Sequence, residues 1–127
     1  MAAGMSSRPE RRRAPRIDER VPLALAGEDA EFQTQTRNLS ASGVYCRLNR
    51  FIPPMAKLAV TLSIPDGAKA RTVTCTGVVV RVEPSPTPDG RDQYEIAIFF
   101  SEITDRDRTA ISRFVQQRLT QQPPTTV

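Results

Sequence analysis

The sequence predicts a mainly β fold: a six-stranded antiparallel β-barrel with one α-helix at its C-terminal end. Three observations carry that expectation. Six extended runs, most of them alternating apolar and polar residues, follow one another between Val21 and Phe100. Short turns rich in Gly, Pro and Asp separate them. After Thr104 the apolar period lengthens from two residues to between three and four. A chain of 127 residues is long enough for one domain. At that size roughly two-thirds of the unfolded surface can be buried, so no metal or disulfide staple is required. Closing the strands into a barrel removes exposed sheet edges.

The first run, "VPLAL", sets Val21, Leu23 and Leu25 on one face, and Pro22 suits a strand start or an edge. "GED" reads as a tight turn, and the Thr-rich "AEFQTQTRNL" is extended in character. In "GVYCRL", Val44, Cys46 and Leu48 share one face while Tyr45 and Arg47 take the other. The paired prolines of "NRFIPPM" exclude a helix there. "KLAVTLSI" is the clearest strand, with Leu58, Val60, Leu62 and Ile64 in register. "PDG" turns the chain into the long run "RTVTCTGVVVRV", and the polar, proline-rich "EPSPTPDGRD" is a surface loop. "QYEIAIFF" closes the series with Tyr94, Ile96, Ile98 and Phe100. The helix follows in "TDRDRTAISRFVQQRL", where Ala110, Ile111, Phe114, Val115 and Leu119 form the apolar stripe. Thr104 is its expected N-cap, with Asp107 completing a short capping box. Residues 1–10 and 121–127 are expected to be flexible segments flanking a domain over 11–120.

Composition narrows the chemistry. With no histidine, most zinc sites and most general-base catalysis at neutral pH are closed off. Cys46 and Cys75 lack metal-ligand spacing and sit in apolar runs, so they read as small core residues. No phosphate-cradling glycine loop and no carboxylate pair with a nucleophile is visible, which argues against an enzyme. No apolar run approaches the roughly 20 residues that span a bilayer. The N-terminus lacks the apolar core of a secretory signal, so a cytoplasmic protein without membrane insertion is expected. Tyr94, Phe99 and Phe100 read as packing residues rather than a ring-stacking platform.

The net charge of +4 is unevenly placed: six arginines against three acids give the first twenty residues +3 of it. A local field of this kind points to an anionic partner. Arginine at every basic position, rather than lysine, fits a planar ligand that bears phosphates. Its fork bonds a phosphate or a guanine O6/N7 edge in bidentate fashion, and its flat cation stacks on a purine.

"NLSASG" lies between the second and third runs. By itself it reads as a polar turn in which Asn and Ser bond their own backbone. Placed after "RRRAPR", however, it completes a pattern. Arg12-Arg13-Ala14-Pro15-Arg16 followed by Asn38-Leu39-Ser40-Ala41-Ser42-Gly43 resembles the paired Arg-x-x-x-Arg and Asp/Asn-x-Ser-x-x-Gly motifs of the PilZ family of cyclic di-GMP receptors. The resemblance covers roughly residues 8 to 120. Arg-x-x-x-Arg also occurs at Arg8–Arg12 and Arg16–Arg20, but the middle register is followed directly by Ile17 and the apolar alternation, as in the family.

The resemblance implies a PilZ-like barrel that binds cyclic di-GMP through Arg11, Arg12, Arg16, Asn38, Ser40 and Gly43, with no metal and no cofactor. Asn38 would offer its carbonyl to a guanine N–H, Ser40 would exchange a hydrogen bond, and Gly43 would permit a turn or close ligand approach. In the family, an arginine at the position of Arg11 accompanies binding of a self-stacked ligand dimer, so two nucleotides per domain are expected. The output of such a module passes through a downstream protein partner. Two alternatives stay open: a nucleic-acid-binding barrel with a basic arm, disfavoured by the modest net charge, and a PilZ-like adaptor that acts by protein contact without nucleotide.

Overall fold

A computed structural model describes residues 14–85 and 87–121. Its strands are β1 (Arg16–Ile17), β2 (Pro22–Ala26), β3 (Glu31–Ser40), β4 (Gly43–Leu48), β5 (Lys57–Asp66), β6 (Lys69–Pro84) and β7 (Tyr94–Glu102), followed by helix α1 (Asp105–Gln121). All pairings are antiparallel. They run β2–β3–β4–β7–β6–β5 and return to β2, which closes a six-stave barrel. The seventh strand does not add a stave, because β1 and β2 are two pieces of one. Both lie along the same edge of β3, with Arg16 opposite Ser40 and Pro22 opposite Gln35.

Thr36 makes that broken stave possible. Residues 18–21 leave the ladder, and the buried Thr36 hydroxyl takes up what they release. It donates to Glu19 O at 2.5 Å and accepts from Val21 N at 3.0 Å, while Thr36 N donates to Val21 O at 3.0 Å. Buried backbone groups need such partners. Two further irregularities re-aim side chains. The β3–β4 register shifts between Thr36 and Asn38, which leaves Arg37 as an extra residue. Consequently Arg37 and Asn38 both face outward while Thr36 and Leu39 on either side are buried. The β6–β7 register shifts between Val79 and Arg81, which leaves Val80, already outward by alternation with the buried Val79, as the extra residue.

The alternation seen in the sequence is the inside of the barrel. Leu23, Leu25, Val44, Leu62, Val73, Ile96, Ile98 and Phe100 are among its buried residues. Each such side chain contributes about 1.5–3 kcal/mol of burial. Cys46 is buried and Cys75 partly so, and both thiols are free. Burial pushes the Cys46 thiol up to about 12 and, with help from the Asp107 charge, that of Cys75 up to about 11.

α1 lies against β1, β3, β5 and β6 through Ile111, Phe114 and Val115. Thr104 caps it as expected: its Oγ1 accepts from Asp107 N at 3.1 Å. The expected capping box is made only by half: the Asp107 carboxylate turns to Arg71, at 3.5 Å, rather than back to the Thr104 amide. Leu119, expected in the apolar stripe, is exposed at the end of the helix. One turn from that end, Arg118 lies over the Phe114 ring, and its Nε donates to both Glu19 oxygens at 2.8 and 2.9 Å. That pair ties α1 to the joint between β1 and β2. α1 includes Gln121, the first residue of the expected C-terminal tail; the rest of that tail and the expected N-terminal segment lie outside the described residues.

Candidate functional site

β3 and β4 are joined by the two residues Ala41 and Ser42. Ser40 builds this turn: its Oγ accepts from Ser42 N at 3.1 Å and lies 3.0 Å from Ser42 Oγ. The turn, the bulge at Arg37 and the outer end of β3 together present three acceptors in a row: the Asn38 side chain, the Ser40 hydroxyl and the Gly43 carbonyl. β1 pairs with β3 at this point and delivers Arg16 opposite Ser40.

The Arg16 guanidinium spans the row. Its Nε donates to Asn38 Oδ1, its Nη1 to Ser40 Oγ at 3.1 Å and its Nη2 to the Gly43 carbonyl at 3.3 Å. Asn38 is fixed in turn, since its Nδ2 donates to Asp18 Oδ1 at 2.8 Å. The Arg16 Cζ atom stands 5.5 Å from the centre of the Tyr45 ring, within cation–π range. An open cavity of about 330 Å³ begins here, and its lining includes Arg16, Ser42, Tyr45, Val80, Phe99 and a second cation, Arg81. It offers a flat cation of set orientation beside exposed apolar and aromatic surface. Such a cation loses little freedom when it takes up an anion.

Four of the expected site residues, Arg16, Asn38, Ser40 and Gly43, thus come together from β1, β3 and β4. Arg11 and Arg12 lie outside the described residues. Arg20 does not join the group and lines a different cavity, so of the registers ending at Arg16 and at Arg20 it is the first that sets its second arginine on Asn38 and Ser40. Two expected roles take a different form. Asn38 directs its carbonyl to Arg16 and its amide to Asp18, so in this state it positions the arginine. Gly43 is absent from the described residues with positive φ. A Cβ there would run into the Ile98 carbonyl of β7, so closure of the barrel at β4–β7 demands glycine.

Asp18, Tyr45, Val80 and Phe99 belong to the site and were not among the residues expected from sequence. Tyr45 was legible as the outward residue of its strand. Phe99, expected to pack, is instead 52% exposed. Alternation with Ile98 and Phe100 already turns Phe99 outward; what no local pattern shows is the cross-strand register that sets it opposite Gly43 and beside Val80.

The PilZ domain family model matches residues 10–117. Among solved structures, the Bacillus subtilis inhibitor of motility MotI/DgrA superposes with a TM-score of 0.74 at 20% identity, over 87% of this chain and 53% of that one. The PilZ domain of YcgR from Escherichia coli, with c-di-GMP, gives a TM-score of 0.64 at 11% identity, covering 87% of this chain and 94% of that one. The Borreliella burgdorferi PlzA protein in complex with c-di-GMP gives 0.60 at 7% identity, over 95% and 60% of the two chains. This chain therefore spans about half the length of MotI/DgrA. These likenesses are in fold. No curated protein sequence matches the chain. Among the described residues, no helix is long and apolar enough to cross a membrane.

Proposed function

This chain belongs to the PilZ domain family, and we propose that it is a cyclic di-GMP receptor, a regulatory module rather than an enzyme. One observation carries the reading: Arg16 is held by Asn38, Ser40 and the Gly43 carbonyl at the mouth of an open cavity. These are the groups that the two motifs name. The presence of c-di-GMP in the YcgR and PlzA structures supports the same ligand.

The chemistry is that of a bis-phosphate with two guanines. Arg16 meets a phosphate or a guanine edge with its planar fork. Tyr45 and Phe99 give a purine an aromatic surface at the cavity wall. Arg81 of the cavity wall is a second cation, and Arg12, one Arg-x-x-x-Arg spacing upstream, and Arg11 add two more. That accumulation suits the four phosphates of a self-stacked dimer, so two nucleotides bind each domain. Ligand contact with Arg16 is transmitted through the neighbouring joint: Asp18 holds Asn38, and Glu19 holds Arg118 of α1. The resulting change of surface is read in the cytoplasm by a downstream protein partner.

Ligand-observed NMR with cyclic di-GMP, GTP and a short DNA duplex tests the reading. Saturation transfer to cyclic di-GMP, none to GTP, and recovery of the nucleotide unchanged are expected. Salt-sensitive binding of the duplex with no response to cyclic di-GMP would favour a nucleic-acid-binding barrel instead.

A further inference from the structure

A second open cavity, of about 500 Å³, lies over the outer face of β3 and β4. Its lining includes Arg20, Arg37 and Arg47 together with Gln33, Gln35 and Gln93, and it shares no residue with the Arg16 cavity. The fold brings the three arginines from three places. Gln33, Gln35 and Arg37 follow one another on the outward row of β3. Arg47 comes from the outer face of β4, and Arg20 from the joint between β1 and β2.

No carboxylate is among the lining residues. Glu95 accepts from Arg47 Nη2 at 2.6 Å, which balances one of the three charges and leaves the groove positive. A cleft lined by one sign of charge concentrates anions from solution. Arg47 is also incompletely satisfied by the protein. The Nε of Arg47 is buried and has no hydrogen-bond partner. A desolvated guanidinium N–H of this kind is costly unless an acceptor reaches it. The glutamines around it carry both donors and acceptors, the set that reads a polar group attached to an anion.

We propose that this groove is a second anion site that takes a phosphate group, separate from the Arg16 cavity. Arg37 and Arg20, both exposed, reach the phosphate from the rim, and Arg47 meets it from the floor. The source of the phosphate is either a free polyphosphate or the phosphates of a nucleotide, which the glutamine amides would hold by its base.

The test is a ¹⁵N NMR titration of the full chain with pyrophosphate and, separately, with guanosine 5′-diphosphate, at constant ionic strength. Saturable shifts are expected at the amides of Gln33, Gln35, Arg37 and Arg47. Arg37→Gln and Arg47→Gln should each weaken them about tenfold or more. Arg47→Gln also breaks the Glu95 pair, so the exposed variants Arg37→Gln and Arg20→Gln decide the matter if it fails to fold. Tighter binding of the nucleoside diphosphate assigns the site to nucleotides, and equal binding assigns it to free polyphosphate. Three results would each overturn the proposal: no saturable shift from either probe, equal shifts from sodium chloride, or shifts unaltered in both Arg37→Gln and Arg20→Gln. Signals of Ser40–Tyr45 under cyclic di-GMP report the Arg16 cavity separately, so either site can fail without the other.

Discussion

Arg16 and Asn38 show how a contact between strands fixes the direction of a cation. The guanidinium is anchored to β3 and β4 before any ligand arrives, and Asn38 is anchored to Asp18. Asn38→Ala should therefore weaken cyclic di-GMP binding by releasing Arg16 rather than by deleting a ligand contact, and Asn38→Asp, which keeps the acceptor for Arg16 but sets a carboxylate against Asp18, should weaken it less. Calorimetry of the two variants side by side checks this. Gly43 answers to the barrel. In Gly43→Ala the new methyl group meets the Ile98 carbonyl, and a loss of about 1–3 kcal/mol in denaturant unfolding is expected. The thiols give a pH prediction. Folding raises Cys75 to about 11 and Cys46 to about 12. The folded chain thus keeps two protons that the unfolded chain gives up near 9, where free thiols titrate. Stability contributed by the neutral thiols is complete below that pH and is lost as pH rises through 11 to 12. At pH 8 both thiols should resist alkylation until the chain unfolds.

At the scale of elements, strand alternation made the six staves legible, because each stave has one face in the core and one in solvent. Leu58, Val60, Leu62 and Ile64 show it best: all four are buried. The helix was legible for a similar reason, and its Thr104 cap because a hydroxyl before an acidic first turn has little else to do there. Thr104→Ala should cost about 1 kcal/mol of stability by thermal unfolding. What escaped the sequence is whatever depends on two strands at once. The break between β1 and β2 rests on Thr36 filling it from β3, and the bulges at Arg37 and Val80 are differences of register between partners. Local pattern carries no trace of either. The Glu19–Arg118 pair joins residues from opposite ends of the chain and was equally invisible. Arg118→Ala should lower stability by about 0.5–1 kcal/mol. In a comparison of free and ligand-bound protein, it should also diminish the change in amide exchange at α1 that cyclic di-GMP produces in the wild type.

Over the whole molecule, a closed barrel gives a rigid frame, and its outer surface carries the chemistry. Arginines gather on the side where β1 enters: Arg16 beside Asn38, and Arg20 with Arg37 and Arg47 over β3 and β4. The joint of residues 18–21 carries Asp18, bonded to Asn38, Glu19, bonded to Arg118 of α1, and Arg20 of the second cavity, so it links both cavities to the helix. The motif residues could be named from sequence because a family uses them; the second arginine groove could not, since β3 must pair in register with β4 and with the broken stave before Arg20, Arg37 and Arg47 are neighbours. The central claim is binding of cyclic di-GMP at Arg16, and titration calorimetry of the full chain tests it most directly, with wild type, Arg12→Ala and Arg16→Ala compared at one salt concentration. Loss of one charge-assisted bond is worth about 1.5–3 kcal/mol. Saturable wild-type binding near two nucleotides per chain is predicted, weakened roughly ten- to hundredfold in each folded variant. Wild-type protein that binds no cyclic di-GMP, or variants that bind it as tightly as the wild type, would contradict the account.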